Sequence, residues 1–471
     1  MKQVKTKTTT THEWELPHLY QRAGFGLSPA EWNVRKTWTR ATALEELFRA
    51  SGLTKASLPV PDAPFGDRRP NMVADKERSA ILKEERQRVA QYNADWVRRM
   101  GGEPSSALLE RMSLFWHGHF ACESKIGQLA IQQLNCIRQH ALGNFRDLAL
   151  AITKDPAMIR YLNNQQNKKN QPNENFAREL MELFTLGRGQ YTEQDIKEAA
   201  RAFTGWSSNL RGEFVFRARQ HDTGSKTFMG KTGSFDGADI IDIILEKPEA
   251  AVFITRKIYR YFVNETVEEE RVAELAHHFY QSDYDIQSLM WEIFSSDWFY
   301  AKENHRNKIK SPVELIAGIL RQLGVSEIED TSLVGLQRAL GQVLFKPPNV
   351  AGWPGGQNWI DNSTLMVRIQ LAGALYKASE VGFRFKEEPE QEGARQLRRL
   401  QVKVDWEPLY KMVEGMNETE ALDVLADYLL AGGRLSVKPE VVLQYVSREN
   451  REAFVQTLCI RLMSLPEYQL C

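Results

Sequence analysis

Four short segments combine residue types that can do chemistry. The first is Phe115-Trp116-His117-Gly118-His119-Phe120. Inside an α-helix, residues two apart point about 200° from each other, so the two imidazoles would not reach one ion. Off a helix end they lie on one side. Gly118 favours the second geometry, because glycine readily ends a helix in the left-handed conformation. His117 and His119 then form a two-nitrogen chelate for a divalent metal ion such as Zn, Fe or Mn. The alternative is a pair of structural histidines, hydrogen-bonded beside an aromatic cluster. Cys122 is a possible thiolate ligand, although a buried cysteine is more often a small hydrophobe.

The second segment is Asn173 to Leu183. On a regular helix Asn175, Glu179 and Glu182 fall within about 60° of one another, while Phe176, Ala177, Leu180, Leu183 and Phe184 occupy another arc. Two carboxylates and an amide on one face supply oxygen ligands or a general base; a solvated face with an Arg178–Glu182 ion pair is the plainer alternative. The third, His221 to Thr227, offers His221 as a ligand or base. Asp222 and Lys226 there would hold substrate groups, Lys226 as a cation for an anionic one, unless the segment is only a polar turn. The fourth, Pro347 to Trp359, is a rigid loop whose Trp353 and Trp359 can stack on a sugar ring or plug a core. No Walker loop, Gly-x-Gly-x-x-Gly, His-Glu-x-x-His or Gly-x-Ser-x-Gly occurs, so nucleotide cofactors and the common hydrolase signatures find no support.

These segments need a frame to position them. Apolar residues recur at helical spacing through most of the chain, for example over Ala107–Trp116, Gln128–Leu142, Glu193–Phe203, Glu249–Phe262 and Pro312–Leu323. Ser311-Pro312 with Glu314, and Thr192 before Glu193 and Asp195, read as helix starts. The expected fold is mainly α, a large multi-helix domain with one small β-hairpin insertion at about 211–232. That hairpin pairs the alternating stretch Glu213–Gln220 with Thr227–Met229. Residues 1–390 form the main domain carrying a motif-bearing cleft. Beyond the acidic stretch Phe385–Ala394, residues 395–471 form a helical portion packed on the same body.

Composition bounds the rest. Apolar residues make up 42% of 471, and with 30 glycines the sum is that of a globular chain, which excludes disorder as the main state. Lys+Arg and Asp+Glu balance at 61 each, which argues against a general nucleic-acid binder. No apolar run approaches the roughly 20 residues of a membrane-spanning helix. The N-terminus has no apolar signal-peptide core, and the four cysteines show no paired spacing; both point to a cytoplasmic address unless a leader precedes the sequence.

Taken in order, these motifs resemble the bacterial domain-of-unknown-function family 1800 from about Leu16 to Leu465. The resemblance is carried by His18 to Gly26, Phe115 to Phe120, Asn173 to Gly187, Ala202 to Trp206, His221 to Gly230, Lys310 to Glu314 and Pro347 to Gly356. The family commonly has Asn where this chain has Gly118. It implies a sulfatase-like protein as a possible partner, and an envelope or extracellular polymer as substrate. From the metal-competent residue types in these separated motifs, the expected function is a metal-dependent enzyme, a hydrolase acting on an anionic or polymeric, carbohydrate-type substrate. His117, His119, His221 and Glu179 would hold the metal, Glu179 or Glu182 would serve as base, and Arg22 with Lys226 would hold an anionic group. Two other readings stay open: a metal-independent α/α-toroid-like carbohydrate enzyme, and a non-catalytic scaffold for the sulfatase-like protein.

Overall fold

The computed structural model describes residues 15–53, 57–102, 107–377, 402–430, 435 and 437–471. The Thr-rich start of the chain and the acidic stretch Phe385–Ala394, with the domain boundary placed there, lie outside the described residues. Among the described residues twenty-one α-helices dominate, with three small two-stranded antiparallel sheets. The helix starts follow local chemistry. Ser311 accepts from the Glu314 N–H while the Glu314 carboxylate accepts from the Ser311 N–H, Pro312 fills the first turn, and Gly324 closes the helix Pro312–Leu323 in the left-handed conformation. Thr192 and Asp195 make the same reciprocal cap on Glu193–Ala202.

One apolar core runs through the molecule, from Leu16 to Tyr468. The helix Glu15–Ala23 lies inside it, with every residue buried. The described residues from 402 to 471 share that core. Val402–Val404 pairs antiparallel with Val325–Ile328, and the helix Arg451–Met463 packs on Asn362–Lys377. Two helices matter most for the motifs. Ala107–His119 and Pro248–Phe262 lie side by side and antiparallel: Arg111 meets Tyr261, Phe115 meets Tyr261 and Phe262, and His119 meets Phe253 and Lys257. Among the described residues, no helix is long and apolar enough to cross a membrane.

The β structure differs from the single hairpin expected. Phe214–Phe216 pairs back onto Trp206–Ser208, and Lys226–Phe228 pairs forward onto Lys231–Gly233. The reason is local. Asn209 binds the Glu213 backbone and side chain, and Gly212 adopts φ +73°, which together make a tight reversal before the alternating stretch. His221 to Ser225 therefore joins two hairpins rather than forming the tip of one.

Candidate functional site

The helix Ala107–His119 continues through Gly118, which keeps a negative φ; Phe120 N–H still bonds to Trp116 O at 2.8 Å. The two imidazoles consequently face different neighbours. His117 lies beside Trp96, Phe345 and Trp353, and its Nε2 accepts the Phe345 N–H at 3.1 Å, which leaves the ring proton on Nδ1. Burial pulls its pKa down to about 3, so it is neutral. His119 points the other way. Its Nε2–H donates to Phe184 O at 3.0 Å, which leaves a lone pair on Nδ1, and Lys257 Nζ donates to that lone pair at 3.2 Å. Burial first, and then the Lys257 charge, hold His119 well below its ordinary pKa.

Lys257 is the residue that motif reading missed. Its ammonium also donates to Leu183 O at 2.9 Å and sits 4.6 Å from the centre of the Phe253 ring. No carboxylate among the described residues pairs with it, and desolvation pulls its pKa down to about 8. The acceptors come from an irregular helix end. After Asn175–Glu179 the chain widens into a π-helix over Leu180–Thr185, in which Leu186 N–H reaches Met181 O five residues back. The last carbonyls of any helix lack partners of their own, and here Lys257 and His119 supply them. Single π turns of this kind recur at functional sites.

Other motif segments close on the same point. Gly352 has φ +83°, and a Cβ there would stand 2.3 Å from Gly118 O, so only glycine lets the Pro347–Trp359 loop reach the end of the histidine helix. A Cβ on Gly187 would stand 2.9 Å from the Phe253 ring. Gly118 faces open space.

A buried ion cluster ties the two helices together farther along. Glu314 lies 2.8 Å from Arg111 Nη2 and 3.0 Å from Lys308 Nζ, and accepts the Ser311 N–H at 2.9 Å. Arg111 and Lys308 both lie over the Tyr261 ring. Burial alone would raise the pKa of Glu314, but the two cations more than reverse that and hold it at about 2. Lys308 is itself pushed below its ordinary pKa, because burial with Arg111 and Arg22 nearby outweighs its share of one carboxylate.

The remaining expected site residues sit elsewhere. Arg22 is fully buried and donates to Phe262 O, Val263 O, Asn304 O and Asn307 Oδ1; it caps the end of the Lys257 helix and does not reach a cleft. Lys226 is buried and donates to Asp222 O and Gly224 O, while Asp222 is gripped by Arg201 at 2.7 Å; both hold their own loop in shape. Trp359 is buried, and Trp353 is half-buried against His117. Glu182 pairs with Arg188 and accepts from Tyr191, and Asn175 is tied to Leu162 O. Glu179 is half-buried, makes no hydrogen bond or ion pair among the described residues, and has its pKa raised by burial and by Glu182.

These positions do not fit a shared divalent ion. Such an ion needs imidazole lone pairs. That of His117 is taken by Phe345 N–H and that of His119 by Lys257, while His221 binds Thr204 O through Nδ1 in the separate β insertion. Among the described residues, no three His, Cys, Asp or Glu side chains are grouped to hold a metal.

Residues 18–470 match the model of the family described as "protein of unknown function (DUF1800)", nearly the whole chain. No curated protein and no solved structure matches.

Proposed function

The chain belongs to the DUF1800 family, and we propose that it is an enzyme of hydrolase type, acting on an anionic, polymeric substrate by proton transfer at Lys257 and His119. The observation that carries this is the placement of Lys257, half-buried and bonded to His119 Nδ1 and Leu183 O, where burial lowers its pKa to about 8. A base is most effective when its pKa lies near the working pH. At pH 7 about a tenth of the Lys257 side chains are free amine, against fewer than one in a thousand for an ordinary lysine. His119 orients that amine through Nδ1, and the π-helix carbonyls fix both groups.

A second, metal-dependent form of the same reading is favoured by Glu179, a half-buried carboxylate without a partner beside Glu182. A sulfatase-like partner and a cytoplasmic address belong to the proposal as well; the four free thiols are in keeping with a reducing compartment.

The test labels the protein with an amine-directed acylating reagent from pH 6 to 11 and reads each lysine by peptide mass spectrometry. Lys257 should label with a midpoint near 8. On a panel of anionic polysaccharides, Lys257→Met and His119→Gln should lower turnover by about 10²–10⁴-fold. An ordinary lysine profile at Lys257, or full activity in Lys257→Met, defeats the proposal.

A further inference from the structure

The chain has zero formal charge overall, yet residues 160–173 and 205–221 together carry six Lys or Arg against one acid. The fold brings these two stretches side by side: Lys169 N–H bonds to Gln220 O at 2.8 Å, and Gly205 N–H to Asn167 O at 3.1 Å. Lys168, Lys169, Arg217 and Arg219 are exposed, and none makes a side-chain hydrogen bond or ion pair among the described residues. Nearby acids are already engaged, Glu213 with Asn209 and Asp222 with Arg201. The loop is held rigidly from beneath, because buried Asn164 and Asn167 bond to the carbonyls of Phe203, Trp206 and Ala200.

Phe216, next to Arg217 in the chain, is 47% exposed, with the His221 ring packed edge-on against it at 5.2 Å. Asn170 and Gln171 are exposed on the neighbouring loop.

We propose that this face is a docking surface for an acidic polysaccharide, whose carboxylate or sulfate groups meet Lys168, Lys169, Arg217 and Arg219 while a sugar ring lies on Phe216. The parts match that ligand's chemistry. Spaced cations suit a chain with one charge per one or two sugars, amides both donate to and accept from hydroxyls, and an exposed aromatic covers the apolar face of a ring. This deepens the proposed function by naming the substrate class. It also fits the course of the chain, since the same loop runs on through Asn175 into the π-helix beside Lys257.

The experiment is affinity electrophoresis of the full chain at low salt through gels containing dextran sulfate, polygalacturonate or neutral dextran, with polyglutamate and a single-stranded oligonucleotide as competitors. The wild type should be retarded by the two acidic polysaccharides and not by neutral dextran. Arg217→Gln with Arg219→Gln should weaken retention about tenfold, the scale on which lost phosphate-like contacts act for a polyanion. The control pair Lys76→Gln with Arg86→Gln removes equal charge from the exposed face of helix Asp75–Gly102 and should change nothing. Phe216→Ala should weaken polysaccharide binding and leave polyglutamate unaffected. Equal losses in the two charge pairs, or stronger competition by polyglutamate or the oligonucleotide than by free polygalacturonate, overturns the proposal. Lys257→Met should bind as the wild type does. The surface and the proton-transfer site therefore fail or stand separately.

Discussion

Replacing Glu314 by glutamine keeps the shape of the side chain and removes the carboxylate that Arg111 and Lys308 share. The magnitude follows from its pKa. A carboxyl held at about 2 instead of 4.5 stabilises the native state by about 3 kcal/mol at neutral pH, since each pKa unit is worth about 1.4 kcal/mol. Glu314→Gln should lose at least that much, because breaking one side of a buried pair typically costs about 3–5 kcal/mol. The sign gives a second readout. A carboxyl whose folded pKa is depressed contributes its full stability above the unfolded value near 4.5 and loses it as pH falls through about 2. Guanidinium unfolding followed by tryptophan fluorescence, at pH 7 and in steps down to pH 2, measures both. The wild type should lose stability through that window, and the variant should show a shallower fall. Adding Arg111→Met to Glu314→Gln should recover part of the loss, since the second change removes a cation left unpaired. A Glu314→Gln protein within about 1 kcal/mol of the wild type at pH 7, well under the range for a broken buried pair, would refute the cluster's stabilising role.

Three further outcomes are expected. Gly352→Ala should destabilise by about 2–4 kcal/mol, the range for a forced main-chain clash with left-handed strain, because its Cβ would meet Gly118 O at 2.3 Å; thermal unfolding measures this. Asp155, buried at the start of helix Pro156–Tyr161, has its pKa pushed up to about 7 by burial. Its charged form is penalised, so wild-type stability should fall as pH rises from about 4 to 7, and Asp155→Asn, which still caps the helix, should be the more stable protein at pH 8 by about 2–4 kcal/mol. Protein purified without a chelating column should hold less than one equivalent of zinc, iron or manganese, and its melting temperature should not move when any of the three is added. Stoichiometric metal in elemental analysis would instead favour the carboxylates Glu179 and Glu182 as ligands.

Much of the frame was legible because helix starts are written locally. Ser311-Pro312 with Glu314, and Thr192 with Asp195, declare themselves within four residues. The end of the histidine helix was not, since Gly118 permits a stop without requiring one, and the packing of Phe345 and Phe184 on either side decides the matter. The π-helix was hidden for a related reason. Its carbonyls meet Lys257 and His119, which lie 74 residues away in one direction and 65 in the other. Lys257 itself looked like one more charge on a helix face. The stripe Phe253–Lys257–Tyr261, a cation between aromatics at spacing four, was the signal available. Arg22 and Lys226 were over-read because a cation beside a motif suggests an anionic substrate, when here the anion-like partners are carbonyls of the chain itself.

The helix Glu15–Ala23 is synthesised long before some of the partners it depends on. Gln21 bonds to Leu429 across 408 residues, and Tyr428 to Leu27 across 401. At about 5–20 residues per second, a ribosome needs roughly 20–80 s to deliver those partners. Contacts of Glu15–Ala23 with the helices Arg40–Leu53 and Ala107–His119 can form early, while those with residues 428–429 have to wait. Burial of this helix is therefore complete only once residues 428–429 have joined it.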